Sequence, residues 1–214
     1  PAALDVRADS SAVNFIDKYL AWGEDDLLFF GERKEGLKEK ISIVGSHRYD
    51  LLNKIGKDVY AQDVKSLKTI FGDFILYNDN LAVDHYDPHY KPPTHLYSAK
   101  EGQFRKASDE WARVTKEHIA RRDRVRDCLL NLSTSGINVV VRPHPVYDPL
   151  FWHESFRLIH NIQAIYKGPV EPWIHASKAV ITTGCTTGLQ ALLADKPSFE
   201  LPVTGLLYTS PSPR

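Results

Sequence analysis

The later two-thirds of the chain alternate short apolar runs with longer amphipathic stretches. Phe74-Ile75-Leu76-Tyr77 is a continuous apolar run of buried-strand type. From Phe104 the apolar or neutral positions step through 107, 111, 114, 118, 125, 128/129 and 132, which makes one face of a long helix apolar until Ser133-Thr134-Ser135-Gly136 stops it. Beyond it the pattern predicts a strand over 137–142, a helix over 149–161, a strand over 162–166, a short helix near 171–177, a strand over 179–182, a helix over 186–194 and a strand over 197–201. Strands alternating with helices imply an α/β architecture of three layers, a parallel sheet covered on both faces.

Upstream the signals are shorter. Residues 17–22 are mixed, then Gly23 and Glu24-Asp25-Asp26 mark a turn into a helix with negative charge at its amino end. Ile41-Ser42-Ile43-Val44 alternates as a strand. Together these read as the last β-α-β of another domain. A polar stretch follows, with a short helical pattern through Val64, Leu67 and Ile70, and the domain boundary is expected there, between 62 and 63. After Tyr77, a loop rich in Asn, Asp, His and Pro is expected to about Ser98.

Composition narrows the partners. Lys plus Arg equals Asp plus Glu at 27 each, so no bulk field attracts nucleic acid and any anion binding must be local. No apolar run approaches the roughly 20 residues that cross a bilayer. Cys128 and Cys185 have neither disulfide nor zinc spacing, and with no leader pattern the expected setting is the cytoplasm. A chain of 214 residues that starts at Pro1 and contains no Met is expected to be an internal fragment, and residues 206–214 resemble a translated sequencing-adapter tail foreign to the fold.

Two segments carry the chemistry. Gly184-Cys185-Thr186-Thr187-Gly188 passes from a strand into a helix, exposing backbone amides and the positive end of the helix dipole among small side chains. The plain reading is a tight helix cap; the sharper one is a phosphate site. The segment lacks the Lys of a Walker loop and the dinucleotide spacing. A cysteine phosphatase needs Arg at position 191, which is Ala, and a nucleophile elbow centred on Thr186 needs a later His, of which there is none.

Arg142-Pro143-His144-Pro145 ends another strand, where two prolines remove backbone donors and leave Arg and His to supply them. His144 suits a phosphate donor or a general acid; Arg142 suits the same anion or a buried carboxylate. In a parallel sheet both segments lie at the carboxyl ends of strands, where ligands bind.

Asp84, His85, Asp87, His89 and His95 read as a polar loop, with metal binding the sharper alternative. Arg121, Arg122, Arg124 and Arg126 form a solvated face or a dock for anionic lipid. His118 falls on the apolar face as a core histidine. Glu171 and Glu200 suit ribose contacts or structural carboxylates.

Several stretches, in order, resemble the bacterial surface carbohydrate biosynthesis proteins, related in architecture to capsule Kdo and polysialic acid transferases and to CDP-glycerol glycerophosphotransferases. They are Trp22-Gly23-Glu24, Val44 to Leu52, Phe71 to Leu76 with Asn78 and Asn80, Arg142 to Pro145, and Gly184 to Gly188 through Lys196-Pro197. The resemblance implies a GT-B glycosyltransferase of two Rossmann-like domains, with residues 1–62 the end of the acceptor side and 63–205 the nucleotide-sugar donor domain. It implies that His144, Thr186 and Thr187 hold the donor phosphate with Arg142 in support, and that neither metal nor cofactor is needed. A polysaccharide or lipid-linked acceptor and peripheral contact with the inner membrane would follow. Ser46-His47 departs from the relatives' usual Gly-Asn-Pro before Arg48. A nucleotide-sugar 2-epimerase and a non-catalytic nucleotide- or glycan-binding module remain rival readings.

Overall fold

The computed structural model describes residues 15–33, 36–80, 101–144 and 150–201, with 32, 33, 101–115 and 118 as backbone alone. The His and Asp residues of the 84–95 loop, the side chain of His118 and the 206–214 tail lie outside the described residues.

Two compact units meet between Leu51 and Leu52. In the first, β1 (Tyr19–Ala21) and β2 (Ile41–Ile43) pair in parallel, joined by α1 (Glu24–Arg33). This is the β-α-β read from the acidic start at Glu24. The Asp26 carboxylate accepts from the Trp22 amide at 2.8 Å at the entrance to α1, and Phe30 and Leu37 form the small core under it. The four-residue α2 (His47–Asp50) follows.

The second unit begins with α3 (Lys54–Val59) and α4 (Ala61–Phe71). It continues through β3 (Phe74–Asn78), α5 (Glu101–Thr134), β4 (Asn138–Arg142), α6 (Leu150–Phe156) and β5 (Ile162–Ala164). The remaining elements are α7 (Glu171–Ala176), β6 (Ala179–Thr182), α8 (Thr186–Leu193) and β7 (Ser198–Glu200). A division at 62/63 would cut α4. That helix packs inside this unit, its Phe71 ring 5.4 Å from Trp173 of α7.

All five strands run parallel in the order β5-β4-β3-β6-β7. Counted along the unit this is 3-2-1-4-5, matching the first five strands of the doubly wound order. One face carries Tyr77, Val139, Val141, Ile162 and Ile181 against Val125 and Leu129 of α5 and Trp152 and Phe156 of α6. The other buries Phe74, Leu76, Val140 and Val180, with Trp173 and Ile174 from α7. On that side a Cβ added at Gly188 would stand 3.3 Å from both Thr182 Oγ1 and Ser198 Oγ, so α8 lies with its backbone against the sheet.

Helix α6 stops at Phe156, earlier than its apolar pattern implies. The chain turns so that Asn161 reaches the junction of α5 and β4, where its Nδ2 donates to the carbonyls of Ser133 (3.0 Å) and Ile137 (3.1 Å). Those bonds tie the turn after α6 to the end of α5 and the start of β4. Among the described residues no helix is long and apolar enough to cross a membrane.

Leu129 is fully buried while Leu192, on the outer side of α8, is 55% exposed. Leu129→Ala should cost about 2–5 kcal/mol through lost burial and a residual cavity, and Leu192→Ala under about 1 kcal/mol. Urea unfolding of the two variants checks the assignment of the core.

Candidate functional site

Connections from β3 lead toward β4 and β5 on one side, while β6 and β7 lie on the other. The reversal leaves a crevice at the carboxyl ends of β3 and β6, the position where open parallel sheets take ligands. Asn78, Asp79 and Asn80 leave β3 there, and Thr183, Gly184 and Cys185 leave β6. The two exits are tied, because the Thr183 hydroxyl donates to Asn80 Oδ1.

Gly184 has φ +86°, a left-handed conformation that turns the chain from β6 into α8. A Cβ there would lie 3.3 Å from Glu200 Oε1, which places that carboxylate at the rim. No side chain caps α8, since Cys185 at the cap position makes no capping bond. The amides of Thr186 and Thr187 therefore stand at the crevice with the positive end of the dipole, while that of Gly188 donates to the Cys185 carbonyl at 3.1 Å. The Cys185 thiol is instead in contact with the Thr187 hydroxyl. Thr186 is exposed and Thr187 buried. Gly188 answers to packing, since its missing side chain lets α8 close on Thr182.

The structure directs Arg142 to a neighbouring loop. It is 6% exposed; Nη1 donates to the carbonyl of Lys167 and Nη2 to that of Gly168, both at 2.8 Å. Its guanidinium lies 5.1 Å from the Trp173 ring centre, and the Trp173 indole adds a bond to the same Lys167 carbonyl at 3.0 Å. Burial pulls the Arg142 pKa down to about 10, with Tyr166 and Glu171 opposing the shift, so it stays charged at neutral pH. The loop between β5 and α7 is thus clamped by carbonyl bonds, where the sequence suggested a phosphate or a carboxylate as partner. Glu171 is buried at the start of α7. His144 lies half-buried two residues past β4.

Asn78 is 6% exposed, and its buried Nδ2 has no hydrogen-bond partner among the described residues. By register it stands beside Arg142 on β4, and it points to the face that carries Thr182 under the first turn of α8. A buried donor without an acceptor costs about 1–3 kcal/mol, which an incoming acceptor would recover.

Asp79 and Tyr77 escaped the sequence reading. The Asp79 carboxylate accepts from the Tyr77 hydroxyl at 3.1 Å and from the Trp152 indole at 2.7 Å. Three polar residues directly after a fully apolar strand were the available signal, since such a run at a strand's carboxyl end must find partners inside the protein. Among the described residues no cluster of His, Cys, Asp and Glu could hold a metal ion.

Against models of known protein families the chain matches none, and no curated protein matches it. The geometry of the crevice therefore carries the argument.

Gly184→Ala should destabilise the unit by about 1–2 kcal/mol, the penalty of a left-handed residue with a side chain. Chemical denaturation measures it, and a neutral result would contradict the tight exit from β6. Burial, followed by the Asp79 charge, raises the Tyr77 pKa well above its usual 10.0. The unfolded chain ionises at this tyrosine first, so its contribution to stability is full below about pH 10 and is lost as pH rises further. Unfolding free energies measured across that range should fall less steeply in Tyr77→Phe than in the wild type.

Proposed function

We propose that this chain is the donor-binding part of a GT-B glycosyltransferase of surface-polysaccharide synthesis, with Rossmann-like donor and acceptor domains. Its ligand is a nucleotide-activated sugar or polyol phosphate. The observation that carries the reading is the buried Asn78 amide without an acceptor among the described residues, on the sheet face that also carries the uncapped helix α8, at the carboxyl ends of β3 and β6. Each of the two features asks for an acceptor, and a phosphate oxygen supplies one to both. The resemblance to surface carbohydrate biosynthesis proteins supplies the reaction class.

In this reading the amides of Thr186 and Thr187 and the Asn78 side chain hold the donor phosphate. His144 donates a hydrogen bond, or a proton, to the phosphate oxygen released when the glycosyl–oxygen bond breaks. Donors aimed at the developing charge stabilise the transition state more than the ground state. The acceptor hydroxyl attacks the sugar carbon as the glycosyl–oxygen bond breaks, the nucleotide leaves with the bonding electron pair, and the hydroxyl proton passes to bulk water. Arg142 contributes indirectly by fixing the β5–α7 loop along the same sheet edge. The acceptor is a polysaccharide or a lipid-linked glycan, and the work is done at the cytoplasmic side of the inner membrane.

Calorimetric titration of the 214-residue chain with CMP, CDP, UMP, UDP and GDP tests the reading. One base should be preferred. Asn78→Leu should lower affinity about tenfold or more while leaving the unliganded protein as stable as the wild type or more so, because it removes an unsatisfied buried donor. His144→Ala should also weaken binding. A folded protein that takes up none of the five nucleotides would sink the proposal.

A further inference from the structure

Asp79 is 7% exposed and lies one residue past β3. Its amide donates to the Arg142 carbonyl at 3.0 Å, so the β3–β4 pairing runs on beyond the end of the strand. Its two carboxylate oxygens are used separately. Oδ2 takes the Trp152 indole N–H of α6 at 2.7 Å, and Oδ1 takes the Tyr77 hydroxyl at 3.1 Å. The next residue, Asn80, takes the Thr183 hydroxyl on its Oδ1. One residue thus joins β3, the end of β4 and the first turn of α6, and its neighbour ties that junction to the exit from β6.

A buried carboxylate is a costly way to fill space, because the charge is stripped of water. It has one property that an amide or hydroxyl lacks, since it only accepts. The Tyr77 and Trp152 protons both point at it, and either partner turning away removes one of those two bonds from the charge. Hydrogen bonds to a charged group are also the stronger kind. The stretch fixed in this way, Thr183 to Cys185, is the one that sets the direction of α8.

We infer that Asp79 is the positioning residue of the switch-point site: its bonds to Tyr77 and to Trp152 at the start of α6 fix the exit from β3, whose Asn80 holds Thr183, so that the first turn of α8 keeps one orientation. What that orientation serves rests on the nucleotide reading above; the positioning itself does not need a ligand to be tested.

Amide hydrogen exchange of the unliganded chain reads the positioning directly. In Asp79→Asn the side chain would present one acceptor and one donor to two donors. Exchange at Gly188 and Leu201, whose amides donate to the carbonyls of Cys185 and Thr182, should quicken at least about tenfold, while Val139, Val140, Val141 and Leu129 keep their protection. Tyr77→Phe leaves the carboxylate on Trp152 and removes only its bond from the Tyr77 hydroxyl. It should quicken the same amides, and it decides the matter if Asp79→Asn does not fold. Unchanged exchange at Gly188 and Leu201, or a uniform rise across the core, overturns the inference. Nucleotide titration of the same variants separates the two claims. Binding by the wild type with a loss of about tenfold or more in both variants supports the positioning role, and equal binding by all three overturns it. A wild type that binds no nucleotide removes the functional reading and leaves the exchange result to judge Asp79.

Discussion

Strand β3 is paired on both edges and covered on both faces, and the rest of the second unit is arranged around that double constraint. Its backbone groups are consumed by β4 on one side and β6 on the other. Its side chains alternate between the α5–α6 layer and the layer of α4, α7 and α8, which is why Phe74-Ile75-Leu76-Tyr77 has no polar member. Once β3 is central, chain connections on its two sides diverge, and the crevice at its carboxyl end follows from the topology. The residues that first escape the strand, Asn78 to Asn80, are polar because they stand where two layers of helices part.

Within that frame each polar group has a separate task. Arg142 holds two loop carbonyls, and its desolvation is offset by those bonds and by the Trp173 ring. Gly184 supplies the left-handed turn and Gly188 the close approach of helix to sheet. The Gly-to-Gly pentapeptide thus owes its glycines to backbone geometry. Its amides face the crevice as a consequence of that geometry.

Much of the fold was legible because periodicity reports burial. The apolar run at 74–77, the small-residue exit at 183–188 and the strand at 138–142 all fall where the pattern put them. The early stop of α6 was not legible, since it depends on Asn161 reaching carbonyls at residues 133 and 137, and a local pattern carries no such distance. The division into compact units at Leu51/Leu52 is likewise a property of packing that a local pattern does not carry. The polar surface of α4 looks like a linker, yet Phe71 anchors it to Trp173 far along the chain. In the site, Gly184 marked the turn from β6 into α8, whereas the partners of Arg142 and the Tyr77–Asp79–Trp152 link are products of tertiary packing.

Among the described residues charge in the crevice is sparse, which bears on what the proposed site would select. Arg142 is committed to the β5–α7 loop, Asp79 and Glu171 are buried carboxylates, and Glu200 stands at the rim. In the proposed reading, attraction for an anion comes from neutral donors, the α8 amides and the Asn78 side chain, together with the half-buried His144. Such donors act only at hydrogen-bond distance and discriminate by direction, so they favour a ligand that fits over one that is merely negative. A site of that kind depends on the accuracy with which its donors are held. That dependence gives a physical reason for placing an expensive buried carboxylate under the turn that aims them.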